Sequence, residues 1–170
     1  MTADEVKQHL NLTPHPREGG WFVRTYESPE LLPKTAFTDA RYPSPRRTAT
    51  AIFYLLEPDT FSEMHRLRSD EIFHFYLGDP VEMLQLHPSG HAEHLILGND
   101  LLANHHLQTV VPRHVWQGSR LLPGGKWALL GCTVSPGFEY EDYDSTPAEP
   151  LITQWPEHQR LITALTRNDS

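Results

Sequence analysis

Nine short runs rich in β-branched and aromatic residues, each cut off by a turn or loop signal, constrain this chain's fold more than any other feature. The runs are Trp21–Tyr26, Thr48–Leu56, Phe61–Arg66, Glu71–Leu77, Val81–His87, His91–Leu97, Gln108–Val111, Val115–Ser119 and Trp127–Ser135. Among the breaks are Glu57-Pro58-Asp59, Gly78-Asp79-Pro80 and His87-Pro88-Ser89-Gly90, and Pro123-Gly124-Gly125 is expected to turn a hairpin. Evenly spaced short strands with such punctuation fold as a sandwich or a barrel. With 15 prolines and 10 glycines absorbed by turns, an apolar content of 38% suffices for one core, so residues 1–170 read as a single domain.

The ends of the chain read differently. Thr2-Ala3-Asp4-Glu5 is a capping-box pattern that opens a helix to about Leu10. Near the other end Pro156 suits a first helical turn, and Leu161, Ile162 and Leu165 form the apolar stripe of a helix running to about Arg167. The proline-rich stretch Ser28–Pro45 reads as a long excursion. A net charge of −8 argues against a general nucleic-acid or anionic-membrane surface. No apolar run approaches the roughly 20 residues a membrane helix needs, and the polar stretch Met1–Leu10 does not read as a signal peptide, so a cytoplasmic location is expected. A lone cysteine, Cys132, leaves no internal disulfide and sits in an apolar run, where it reads as a small core residue rather than a nucleophile.

The chemistry concentrates in Phe61–Gly78. Glu63 and His65 are two apart, so on a regular strand both point to one face, and beyond a short loop Glu71, Phe73 and Phe75 share a face of the next strand. If those faces meet, Glu63, His65 and Glu71 converge inside an apolar barrel. Carboxylates in such a place need a metal, a cation, a proton or a polar ligand. His65 suits a metal ligand or a general base, Glu71 a ligand or an acid made weaker by burial. Trp21, Tyr26, Phe73, Phe75 and Trp116 are candidates to line a small-molecule pocket, with Arg66 and Arg68 beside it for an anionic group.

The same stretch resembles the first motif of the cupin superfamily, with Glu63 and His65 on its two histidine positions, Glu71 on its glutamate one residue late, and Gly78 on its last glycine. Pro112-Arg113-His114-Val115-Trp116-Gln117 resembles the second motif, with His114 in place of its glycine and Gln117 in place of its histidine. Nearly the whole chain resembles the DUF985 cupin-like family. The resemblance is carried by His15-Pro16-Arg17-Glu18-Gly19-Gly20-Trp21-Phe22, by His65–Glu71 with Gly78-Asp79-Pro80, by Val110-Val111-Pro112 with Trp116-Gln117, by Trp127–Val134 with Pro136-Gly137-Phe138, and by a tail including Pro156 and His158.

That resemblance implies an all-β, double-stranded β-helix (jelly-roll) barrel with short terminal helices, paired as a homodimer in which Trp21–Tyr26 is a candidate for strand exchange. It also implies a small-molecule site inside the barrel, for an oxygenated, anionic or carbohydrate-like metabolite. Three uses of that site stay open. One divalent metal ion held by Glu63, His65, Glu71 and Gln117 is the first. A metal-free site like that of the sugar-nucleotide epimerases is the second, with His65 as base, Tyr140 or Tyr143 as acid and Arg66 and Arg68 on a diphosphate. The third is a binding protein without catalysis.

Overall fold

The structure is a computed structural model that describes residues 1–37 and 39–167. Thr2 caps helix α1 (Ala3–Leu10) as its sequence predicts: its hydroxyl accepts from the Glu5 amide, and the Glu5 carboxylate accepts from the Thr2 amide. Among the described residues thirteen strands follow: β1 (Thr13–Pro14), β2 (Trp21–Glu27), β3 (Leu31–Leu32), β4 (Arg46–Arg47), β5 (Thr50–Leu56), β6 (Phe61–Arg66), β7 (Asp70–Gly78), β8 (Val81–Leu86), β9 (Ala92–Leu97), β10 (Gln108–Val111), β11 (Trp116–Leu121), β12 (Ala128–Ser135) and β13 (Asp144–Ser145). Helices α2 (Ala148–Gln154) and α3 (Gln159–Ala164) end the chain. Among the described residues no helix is long and apolar enough to cross a membrane.

Two antiparallel sheets face each other, one in the order β1-β2-β5-β12-β7-β10 and the other β13-β6-β11-β8-β9. From β5 to β8 successive strands alternate between the sheets, which is the jelly-roll winding the resemblance implies. Most turn signals therefore mark crossings, not hairpins. Pro123-Gly124-Gly125 joins β11 in one sheet to β12 in the other, so the expected hairpin is absent there, whereas His87-Pro88-Ser89-Gly90 does close the β8–β9 hairpin. Strand β2 pairs with β1 and β5 of its own chain.

Alternation along the strands divides the apolar residues into three cores. Tyr54, Leu56, Phe73, Phe75, Met83, Leu130 and Cys132 point between the sheets. Val6, Leu12, Leu55 and Leu129 pack helix α1 onto the outside of the first sheet. Met64, Leu84, Leu86, Leu151, Trp155, Ile162 and Leu165 seat the C-terminal helices on the outside of the second. The C-terminal helical region begins earlier than its sequence signal and is broken at Trp155, because Pro156 cannot continue α2 and instead opens a 3-10 turn ahead of α3. The Ser28–Pro45 excursion is tied down by a short β3–β4 ladder and by Tyr42, whose buried hydroxyl lies 2.6 Å from Ser69 Oγ.

Candidate functional site

Polar residues collect at one end of the barrel interior, around a cavity lined by His15, Glu18, His65, Glu71, Cys132 and Tyr140 among others. Its free volume of about 30 Å³ holds one or two water-sized groups, so a larger ligand enters only as the lining side chains move. Strand β7 delivers Glu71 with Phe73 and Phe75 on the same inward face, as the alternation predicts, while His74 points away toward Gln108 and Thr133. Phe73 and Phe75 lie among the inner apolar core, and Glu71 is the polar end of that row.

Strand β6 does not follow simple alternation. His65 pairs with Gln117 but Ser62 pairs with Ser119, so β6 carries one extra residue between them, a β-bulge. The bulge puts Ser62 and His65 on the inner face and turns Met64 out against the C-terminal helices. It also separates Glu63 from His65, which corrects the expectation that both share a face. The Glu63 carboxylate accepts from Tyr143 Oη at 2.7 Å and pairs with Arg167 at 3.3 Å.

The contacts of His65 fix its tautomer. Its Nδ1 lies 2.7 Å from the Glu63 carbonyl, which only accepts, so Nδ1 carries the proton. Nε2 then presents a lone pair, and the Gln117 amide nitrogen donates to it at 2.9 Å. The second proton of that amide goes to Glu71 Oε2 at 2.7 Å, so Gln117 spans a base and a carboxyl. Tyr143 stacks on the His65 ring at 4.7 Å and 19°.

Burial drives the electrostatics. Desolvation, then the charge of Glu18, push the Glu71 carboxyl well above the usual range, against weaker pulls from Cys132 and Gln117. Burial and the charge of Glu71 push the Cys132 thiol up as well, so it is a protonated wall residue, in line with its sequence reading. His15 is held below its ordinary value, chiefly by burial. Its Nδ1 accepts from the Glu18 amide at 2.9 Å, leaving Nε2–H toward the Glu18 carboxylate 3.8 Å away. Glu18 in turn accepts from Ser62 Oγ at 2.5 Å. Burial also raises the Tyr143 hydroxyl, which stays a donor.

His15 and Glu18 went unassigned in the sequence reading, although both lie in a block that carries the family resemblance. The loop that holds them reaches the barrel because Gly19 and Gly20 take positive φ, and a Cβ on Gly19 would strike the Phe61 carbonyl.

Other candidate residues lie elsewhere. Trp21 packs outside the first sheet under the Lys7 ammonium, and Tyr26 is exposed on β2. Trp116 packs outside the second sheet beneath Arg66, which pairs with Asp144. Arg66 and Arg68 border a separate surface groove with Arg41 and His114. His114, at the position of the motif glycine, takes a positive φ of 67°, a region that glycine enters without penalty.

These residues, as arranged, do not fit a divalent metal. The lone pairs of His65 Nε2 and Glu71 Oε2 both take protons from Gln117, the Glu63 carboxylate is turned to Tyr143 and Arg167, and among the described residues no three His, Cys, Asp or Glu side chains converge as a ligand set.

Comparison with known proteins agrees with the fold. Residues 4–146 match the family model described as Cupin superfamily (DUF985). An uncharacterized protein of Saccharomyces cerevisiae is 29% identical over 134 residues, 75% of this chain and 67% of that protein. A hypothetical protein from Leishmania major superposes with a TM-score of 0.87 at 26% identity, covering 99% of this chain and 100% of the other. A protein of Shewanella oneidensis gives 0.86 at 30% identity, with 99% of each chain covered. An oxalate decarboxylase of Bacillus subtilis shares the fold alone, with a TM-score of 0.53 at 12% identity over 92% of this chain and 38% of its own. By sequence family and by winding alike, this chain belongs to the cupin superfamily, in its DUF985 family.

Proposed function

We propose that this cupin is an enzyme that moves protons on a small oxygenated or carbohydrate-like metabolite, with His65 as base and Glu71 as acid. The observation that carries the reading is the pairing of a lone pair on His65 Nε2 with a carboxyl that burial keeps protonated, both on one cavity and both bridged by Gln117. A ligand carbonyl or hydroxyl that displaces the Gln117 amide meets an acceptor on one side and a donor on the other. His65 takes a proton from carbon next to a carbonyl while Glu71 gives one to the carbonyl oxygen, which yields the enol of an isomerisation or epimerisation. Tyr140, at the cavity wall, supplies a further hydroxyl to orient the ligand. No metal enters this scheme, because the Gln117 protons stand where a cation would need lone pairs.

The test is exchange of carbon-bound hydrogen for deuterium, followed by proton NMR in deuterated water across small hydroxycarbonyl compounds and sugar nucleotides. Exchange in the parent that disappears in folded His65→Gln and Glu71→Gln supports the reading. A compound that binds without exchange makes the site a receptor. Near-stoichiometric metal in chelator-washed parent protein, lost in both variants, replaces the scheme with a metal centre.

A further inference from the structure

We infer that Arg46 is the positioning residue of this site: buried outside the cavity, it holds the 139–145 segment across the barrel mouth and so keeps Tyr143 on the ring of His65. The inference rests on the acid–base reading of the cavity given above. Arg46 is fully buried, and a guanidinium in that position requires a partner for every nitrogen. It has them. Nε and Nη2 donate to the two oxygens of Asp142 at 2.8 and 2.9 Å, Nη2 also donates to Glu141 Oε1 at 2.6 Å, and Nη1 donates to the Ser44 and Pro45 carbonyls at 2.9 and 3.0 Å. A two-point fork onto a carboxylate fixes direction as well as distance.

The segment it holds has little other anchorage. Between residues 139 and 145 Asp142 is the one buried residue. The other ties are mostly at the surface: the two-residue ladder of β13 on β6, the half-exposed Arg66–Asp144 pair, the hydroxyl of Tyr143 on Glu63, the Ser44 hydroxyl on Glu141, Arg17 on the Tyr140 carbonyl and ring, and Arg68 3.9 Å from Asp142. Each is worth little by itself. What hangs on the segment is the site: Tyr140 lines the cavity with its ring 6.3 Å from His15, and Tyr143 covers His65. The guanidinium also lies on the buried Tyr42 ring at 4.8 Å, and closing a polar cavity with a strap of mostly exposed residues requires such an anchor.

Cys132 supplies a reporter, being the chain's lone cysteine, buried, and on the wall of the same cavity. The experiment compares its labelling by methyl methanethiosulfonate in the parent, Arg46→Gln and Arg46→Lys at several urea concentrations. It also records the His65 ring protons by NMR, assigned by difference from His65→Gln. The expected result is labelling about tenfold faster in Arg46→Gln with little dependence on urea, which marks a local opening. Arg46→Lys is expected to restore part of the protection, and the His65 signals are expected to move downfield as the Tyr143 ring leaves. Unchanged labelling, or labelling that rises only with the urea dependence of global unfolding while the His65 signals stay put, overturns the inference. Should Arg46→Gln not fold, Glu141→Gln loosens the solvent-side arm alone and is expected to give the same two changes at severalfold amplitude, with their absence overturning it equally. Neither readout uses a substrate, so a failed exchange assay counts against the acid–base reading and not against the strap.

Discussion

Replacing Glu71 by glutamine is expected to make the protein more stable at neutral pH, an unusual direction for a substitution in a barrel interior. Glu71 is buried, with the Gln117 amide donating to its carboxyl at 2.7 Å, the Cys132 thiol beside it and the charge of Glu18 nearby. Its folded-state pKa lies well above the ordinary 4.5, mainly through desolvation. Between the ordinary value and the raised one the folded chain holds a proton that the unfolded chain has released, so stability is fully present below about pH 4.5 and is lost as pH rises through the folded-state value. At full slope that loss is about 1.4 kcal/mol for each pH unit between the two values. Glutamine keeps an oxygen for the Gln117 amide and has no proton to lose, so its stability stays flat over that interval. The two proteins are expected to match near pH 4 and to diverge above about pH 4.5 by up to about 1.4 kcal/mol per pH unit, each kcal/mol being roughly 2–4 °C in Tm for a domain of this size. Urea unfolding at pH 4, 5, 6, 7 and 8 measures this directly. A Glu71→Gln protein whose stability runs parallel to the parent's across that range, or falls below it at pH 7, refutes the placement of a protonated carboxyl in the cavity.

Two further outcomes test the frame around the site. Ile162, fully buried where α3 meets the second sheet, is expected to cost about 3 kcal/mol as Ile162→Ala, and a thermal melt within 2 °C of the parent would show that the helices do not seat there. His114→Gly is expected to stabilise by about 1 kcal/mol, since a histidine at φ of 67° carries the left-handed penalty that glycine escapes, and equal or lower stability in urea would count against that backbone conformation.

The strands were legible because each is a short run of residues suited to a pleated, half-buried surface, and the observed bounds of β5 to β12 fall within two residues of the runs read from sequence. What joins to what was not legible. A proline-glycine turn ends a strand equally well whether the next strand lies beside it or in the facing sheet, and Pro123-Gly124-Gly125 turned out to be the second kind. Within the site, Glu71 was readable because β7 alternates cleanly from Glu71 to Phe75, its own irregularity lying beyond them at Tyr76. Glu63 was misread because one extra residue shifts a period of two by half a cycle, and nothing in Phe61–Arg66 marks a bulge. His15 and Glu18 come from a loop some 50 residues before His65, brought in by backbone conformations at Gly19 and Gly20, so only the resemblance of that block hinted at them.

The replacement of the motif histidine by Gln117 has a chemical meaning that follows from counting protons. A neutral imidazole has one N–H. Placed between His65 Nε2 and Glu71 it can donate to one of them only and leaves the other acceptor with a free lone pair, of the kind a cation takes. A primary amide has two N–H groups about one nitrogen, and Gln117 uses both, at 2.9 and 2.7 Å. Its remaining oxygen is buried and has no hydrogen-bond partner among the described residues, so there the side chain makes those two bonds without a third. That unpaired oxygen also makes the bridge easier to displace: a ligand hydroxyl that donates to Oε1 while the amide turns would recover the missing bond and free His65 Nε2 and Glu71 together. In the proposed scheme, the substitution that weakens a metal set is thus the one that holds His65 and Glu71 together through a single side chain.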